Sequence, residues 1–226
     1  EYSASVEIEV TVSAPQTYDT ISVLDAINSE DNTEVTVKGI VMSSLVNQNG
    51  FYLNDGTGVI AVVMANADDL DLLSLGNEVI IRGTKSHKVK DGYAGKGQIN
   101  IYNAEVLVNN YGTHEYDTST FITGKTFNDI YNLDVNEDHS TDVYVVEGVV
   151  KFNSTQFYTN VVLTSVDGSV TLTLYCANSG QYSFLSDYVG KVVTLELATC
   201  NWNSKNYYAT CVVSLTYEGT KVLNTS

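Results

Sequence analysis

Proline is nearly missing: Pro15 is the only one in 226 residues. That excludes the proline-rich tracts of extended, low-complexity chains. Basic residues are scarce as well, 11 Lys and Arg against 27 Asp and Glu, for a net charge of −16. Such a field repels phosphate backbones overall, which weighs against a chain-wide nucleic-acid footprint but not against a local one. No run of about 18 apolar residues occurs, so no helix is expected to span a bilayer. No signal peptide opens the sequence, and its abrupt start reads as that of an excised fragment.

The chemistry of catalysis is also thin. His87, His114 and His139 are isolated and lack metal-ligand spacing. Cys-x-x-Cys, a phosphate-binding glycine loop and a nucleophile elbow are all absent. The expectation is therefore no enzyme activity and no cofactor. The cysteines, Cys176, Cys200 and Cys211, are odd in number and make a poor disulfide framework. Cys200 and Cys211 flank an expected hairpin and either pair across it or stand as buried thiols.

What is present points to β-structure. Tyrosine is abundant at 16 residues and the apolar fraction is 43%, enough for two cores in a chain of this length. Residues 5–12 alternate Val6, Ile8, Val10 and Val12 with Glu7, Glu9 and Thr11, a strand with one wet face. It resembles the closing strand of bacterial immunoglobulin-like surface domains; equally, it is a strand that packs on the domain C-terminal to it. Residues 1–14 are set apart on this basis. After Pro15 come a short helix with Ile21, Leu24 and Ile27 at helical spacing, then strands at 34–44 and 50–65, the latter a hairpin turning at Asp55-Gly56. Gly39 inside the first of these predicts a bulge or bend. A helical segment comes next at 66–76, with Asn66 as cap and Gly76 as stop. Strands at 78–84 and 98–108 complete the set. Five strands with a helix between the third and fourth is the order of the OB-fold, a Greek-key barrel.

The second half repeats the plan. Gly148 stands 109 residues after Gly39, Asn178 stands 112 after Asn66, and Gly190 stands 114 after Gly76. A helix with Phe127, Ile130 and Tyr131 precedes it, and one with Tyr182, Leu185 and Val189 interrupts it. Ordered matches at nearly one spacing indicate a duplication. The fold expected is all-β: two tandem five-stranded OB-fold barrels, residues 15–112 and 113–226, each with a short helix between strands 3 and 4. The polar stretch 109–120 reads as a linker.

Val37-Lys38-Gly39-Ile40-Val41, Phe51-Tyr52-Leu53-Asn54-Asp55-Gly56-Thr57-Gly58 and Gly76…Gly83 together resemble bacterial extracellular OB-fold modules. The second half is a degenerate match, keeping Gly148, Phe157-Tyr158, Asp167-Gly168 and Gly190. The resemblance implies an accessory domain of a secreted or cell-surface protein, a companion of nucleases, phosphatases or adhesins. Its motifs are turns, bulges and core, which specify a fold better than a ligand.

An OB barrel binds on the face of strands two and three, edged by the loop between strands four and five. That loop, read here as 82–97, holds Arg82, Lys85, Lys88, Lys90 and Lys96, five of the six basic residues of 15–116. His87 and Tyr93 interleave, and Tyr52 on strand two offers a stacking ring. Cations with aromatics suit single-stranded nucleic acid or another polyanion. The alternative is a solvated hairpin that balances an acidic body. The equivalent loop of the second half carries Trp202 and Tyr207 among asparagines, a surface for glycan, or aromatics folded over the barrel end. Asp134, Asn136 and Asp138 fall at the alternate spacing of a calcium loop, but His139 replaces the glycine and Val145 the bidentate glutamate. A polar loop explains them as well. Two functions remain open: a binding module for polyanion or glycan, and a structural spacer that contacts only other domains of its parent chain.

Overall fold

The computed structural model describes residues 16–45, 49–88, 97–155, 158–172, 174–175, 182–200 and 208–224. The first lobe is a closed barrel of β1 (Glu34–Ser44), β2 (Gly50–Asn54), β3 (Val59–Met64), β4 (Glu78–Lys88) and β5 (Gln98–Asn110), in the order β1-β2-β3-β5-β4. β1 closes on β4 in antiparallel register from Glu34↔Thr84 to Ile40↔Glu78. β3 meets β5 in parallel at Ala61↔Asn100 and Val62↔Ile101. A 3₁₀ helix, Ala67–Leu72, lies between β3 and β4, and Asn66 caps it through Asp68 N–H. This is the expected OB arrangement.

Local chemistry explains the motif residues. A side chain on Gly39 would stand 2.8 Å from the Asn54 carbonyl oxygen, so glycine there allows β1 and β2 to approach; the bulge itself lies between Val41 and Ser43. The Asp55-Gly56 turn, with Gly56 at φ +86°, does more than reverse the chain. Asp55 Oδ2 accepts from Val23 N–H at 2.9 Å and Thr57 Oγ1 from Leu24 N–H at 3.1 Å. The turn therefore caps helix α1 (Val23–Asn28) from across the sequence. The face α1 buries is Val23 and Ala26, with Ile27 packed against the same core as expected, whereas Ile21 and Leu24 are exposed.

The second lobe is a six-stranded sheet of β6 (Val143–Thr155), β7 (Tyr158–Thr164), β8 (Thr171–Leu172), β9 (Val192–Cys200), β10 (Ala209–Tyr217) and β11 (Thr220–Leu223), ordered β11-β10-β9-β6-β7-β8. β6 pairs with β7 and β9 as β1 pairs with β2 and β4. Closure differs. Where β3 and β5 form a ladder, the second lobe has one bridge, Leu174↔Thr210, so a second closed barrel is not formed among the described residues. Among the described residues β8 covers Thr171–Leu172, where β3 runs over Val59–Met64. Helix α2 (Phe127–Tyr131) is capped by its own Thr126–Asp129 box rather than by the Asp167 turn. Gly148 makes room for Phe127, whose ring lies 2.3 Å from where a Cβ would be.

Candidate functional site

On β2 every residue is buried. Phe51 and Leu53 point into the barrel with Ile60 and Val62 of β3. Tyr52 points the other way, into a second core with Met42, Leu45, Val59 and Ala61, and this core continues through Tyr182, Cys200 and Cys211 of the second lobe. The outer face of strands two and three, the surface on which an OB barrel takes ligand, is thus packed against the neighbouring lobe. Tyr52 is 2% exposed, which removes it from the expected stacking platform. Burial, and then the two cysteines, push its hydroxyl pKa well up. Cys200 and Cys211 sit on adjacent strands as buried thiols, in register with Ala209 and Ala198 respectively.

Polar contacts clamp the same junction. Asn54 Nδ2 donates to the Asp117 carbonyl at 3.0 Å, and Asp117 N–H returns a bond to Asn54 Oδ1 at 3.1 Å. Tyr116 Oη donates to Glu196 at 2.6 Å. Residues 116 and 117 belong to the stretch that reads as a linker, yet they are tied to both lobes. From the other side, Gln98 Nε2 donates to the Ser140 carbonyl at 2.7 Å and Ile99 N–H to Ser140 Oγ at 3.1 Å.

Among the described residues of the first lobe, Lys38, Arg82 and Lys85 each meet a carboxylate. β4 continues in register with β5 as far as Lys88↔Gln98, so the first part of the expected 82–97 loop is ladder. Arg82 is held by Glu105 across that ladder, which raises the guanidinium pKa. Lys85 is 7% exposed at its side chain and its ammonium lies 2.7 Å from Asp31. His87 Nε2 lies 3.5 Å from Asp138 Oδ2, a contact that crosses between lobes. Lys90, Tyr93, Trp202 and Tyr207 lie outside the described residues, as does the side chain of Lys88.

The Lys85–Asp31 pair is asymmetric. Asp31→Ala leaves a buried ammonium without its carboxylate and should cost about 1–3 kcal/mol. Lys85→Met leaves a carboxylate that is 47% exposed and solvated by water, so its cost should stay below about 1 kcal/mol. Urea melts of the two variants check the order; a larger loss for Lys85→Met would place the pair's worth elsewhere.

The 134–142 loop uses its carboxylates internally. Asp134 Oδ1 accepts from Asn136 N–H and Nδ2, both at 2.8 Å, and the backbone bond lowers the Asp134 pKa. Asp138 Oδ1 accepts from Ser140 N–H at 3.1 Å and Oγ at 2.8 Å. Asp142 Oδ2 takes His139 Nδ1 at 2.8 Å and Tyr144 Oη at 3.0 Å. Among the described residues no three His, Cys, Asp or Glu side chains gather as a metal would need. The loop's visible task is to present Ser140 to β5.

A cleft of about 440 Å³ opens at the start of α1, with Lys38, Asn54, Asp55, Glu78, Glu115 and Asp117 in its walls. Lys38 is bound to Glu78 at 2.8 Å, so the remaining charge is acidic. Such a cleft repels phosphate.

No family model matches the chain, nor does any curated protein. Among solved structures, the hypothetical protein ygiW from E. coli matches at 17% identity over 40% of this chain and 91% of that one, with a TM-score of 0.31. A replication protein A heterotrimer bound to ssDNA matches at 10% identity, 89% and 69% coverage and TM-score 0.28. The Ifi202 HINa domain in complex with 20bp dsDNA matches at 10% identity, 80% and 95% coverage and TM-score 0.34. The fold assignment rests on the strand order of the barrel itself.

Proposed function

We propose that this chain is a non-catalytic module of a bacterial secreted or cell-surface protein, in which an OB barrel and an opened copy of it, residues 15–112 and 113–226, form one rigid body that spaces and presents neighbouring domains. On this reading residues 1–14 lead in from the preceding domain. The observation that carries it is the burial of Tyr52: the face an OB barrel offers to ligand is spent on joining the lobes. The paired cations and the acidic cleft support it.

A second reading keeps binding at the tip of the β4–β5 hairpin, because five of the six basic residues of 15–116 fall in 82–97. Polyanion would then meet Lys88, Lys90 and Tyr93, and glycan would meet Trp202 and Tyr207. The experiment is binding of labelled single-stranded DNA and RNA at low and moderate salt, beside the Lys88→Glu/Lys90→Glu double variant. No binding at low salt, with no hit on a glycan array, supports the spacer. Micromolar binding that falls with salt and disappears in the variant would move the function to the hairpin tip.

A further inference from the structure

β5 has β4 along its whole length on one side, from Gln98 to Asn110. On its other side β3 reaches only to Ala104. The last bond there is Ala65 N–H to the Ala104 carbonyl, at 2.9 Å. From Glu105 to Val108 this edge has no backbone partner among the described residues. Beside it lies a groove of about 340 Å³, walled by Leu72 of the 3₁₀ helix, by Leu73 just after it and by Glu105 to Asn109 of the strand. Leu72 is 61% exposed and Tyr111 at the groove's end 72%. Asn109 Nδ2 donates to the Leu72 carbonyl at 2.8 Å and closes the far end.

The second lobe displays the same edge filled. β10 meets its closing partner at Thr210 and is then covered by β11 from Ser214↔Leu223 to Tyr217↔Thr220. The covering strand is antiparallel, and it carries a lysine, Lys221, to the acidic Glu196. In the first lobe the corresponding stretch of β5 lacks this cover among the described residues; Asp69 rims the groove with Asp68 and Asp71 beside it in sequence, whereas Glu105 is already paired with Arg82. A row of open main-chain groups calls for another main chain, an apolar wall for alternate apolar side chains, and an acidic rim for cations.

We propose that the 105–108 edge of β5 and the Leu72–Leu73 wall form a docking groove for an extended cationic peptide strand of a partner polypeptide, added to the barrel as β11 is added to the second sheet. The proposal goes beyond the spacer reading and stands without it.

The probe is a pool of hexapeptides with Lys or Thr at one set of alternate positions and Val, Ile, Leu or Phe at the other, captured on the full chain. The best member should bind with micromolar affinity and slow exchange of those 105–108 amides that face away from β4. The same peptide with alternate amides N-methylated should lose binding, and Leu72→Ser, an exposed position, should weaken it about tenfold. Failure to capture any peptide overturns the proposal. So does equal binding of the N-methylated peptide, or of the Leu72→Ser variant. Slow exchange, in the peptide-free full chain, of those 105–108 amides that face away from β4 would also overturn it, since a segment of the chain itself would then hold the edge.

Discussion

Tyr52→Ala should cost about 3–5 kcal/mol and break the unfolding of the two lobes into separate steps. The ring is 2% exposed and sits in a core drawn from both lobes, so its removal opens a cavity at the junction rather than inside either lobe. The barrel's own core of Phe51, Leu53, Ile60 and Val62 lies on the opposite face of the same strands and is left intact. Tyr52→Phe keeps the ring and removes a hydroxyl that lies among sulphur and apolar groups, so its cost should stay below about 1 kcal/mol. Urea denaturation followed by circular dichroism gives both numbers. A single unchanged transition in Tyr52→Ala, with a loss under about 1 kcal/mol, would show that the lobes do not depend on this contact and would remove the main support for a rigid spacer.

The same residue marks the limit of what the sequence tells. The alternation of strands, the Asp55-Gly56 turn, the Asn66 cap and the glycines at 39 and 148 follow from local steric and hydrogen-bonding rules; the barrel carries all but Gly148, which stands on β6 of the second lobe. Phe51 and Tyr52 both read as large aromatics on one strand, so alternation places them on opposite faces but cannot say what covers the outer one. A face built of Tyr, Met and Ala serves a ligand or a second lobe with equal chemistry. The 82–97 segment misleads for a related reason: Lys85 and Ser86 are polar in sequence and buried in the ladder, Lys85 because Asp31 meets its ammonium. Asp31 is 54 residues away in sequence, and no local rule brings the two together. Among the described residues the second lobe is an open sheet with a single bridge at Leu174↔Thr210, a difference from the barrel that a repeat offset does not measure.

Glu196→Ala should cost about 2–4 kcal/mol and loosen the chain end as well as the lobe junction. Its carboxylate accepts from Tyr116 Oη at 2.6 Å and Ser214 Oγ at 2.7 Å, and meets Lys221 Nζ at 2.8 Å. Tyr116 lies between the lobes in sequence, Ser214 on β10 and Lys221 on β11, so one buried acid fastens three segments. Removing it strands two hydroxyls, whereas Lys221, with 37% of its side chain exposed, returns to water. Lys221→Ala should therefore cost less than Glu196→Ala, about 1 kcal/mol. The network also sets an alkaline limit. Burial, and then the Glu196 carboxylate, hold the Tyr116 hydroxyl above its ordinary pKa of 10.0; burial pushes Tyr208 up to about 12. A hydroxyl whose folded value is raised adds stability that is whole below the unfolded value and is lost as pH climbs beyond it. Unfolding midpoints should hold steady to about pH 10 and fall above it. Tyr116→Phe should flatten that fall, and an unchanged alkaline slope in this variant would mean that Tyr116 takes no part in it.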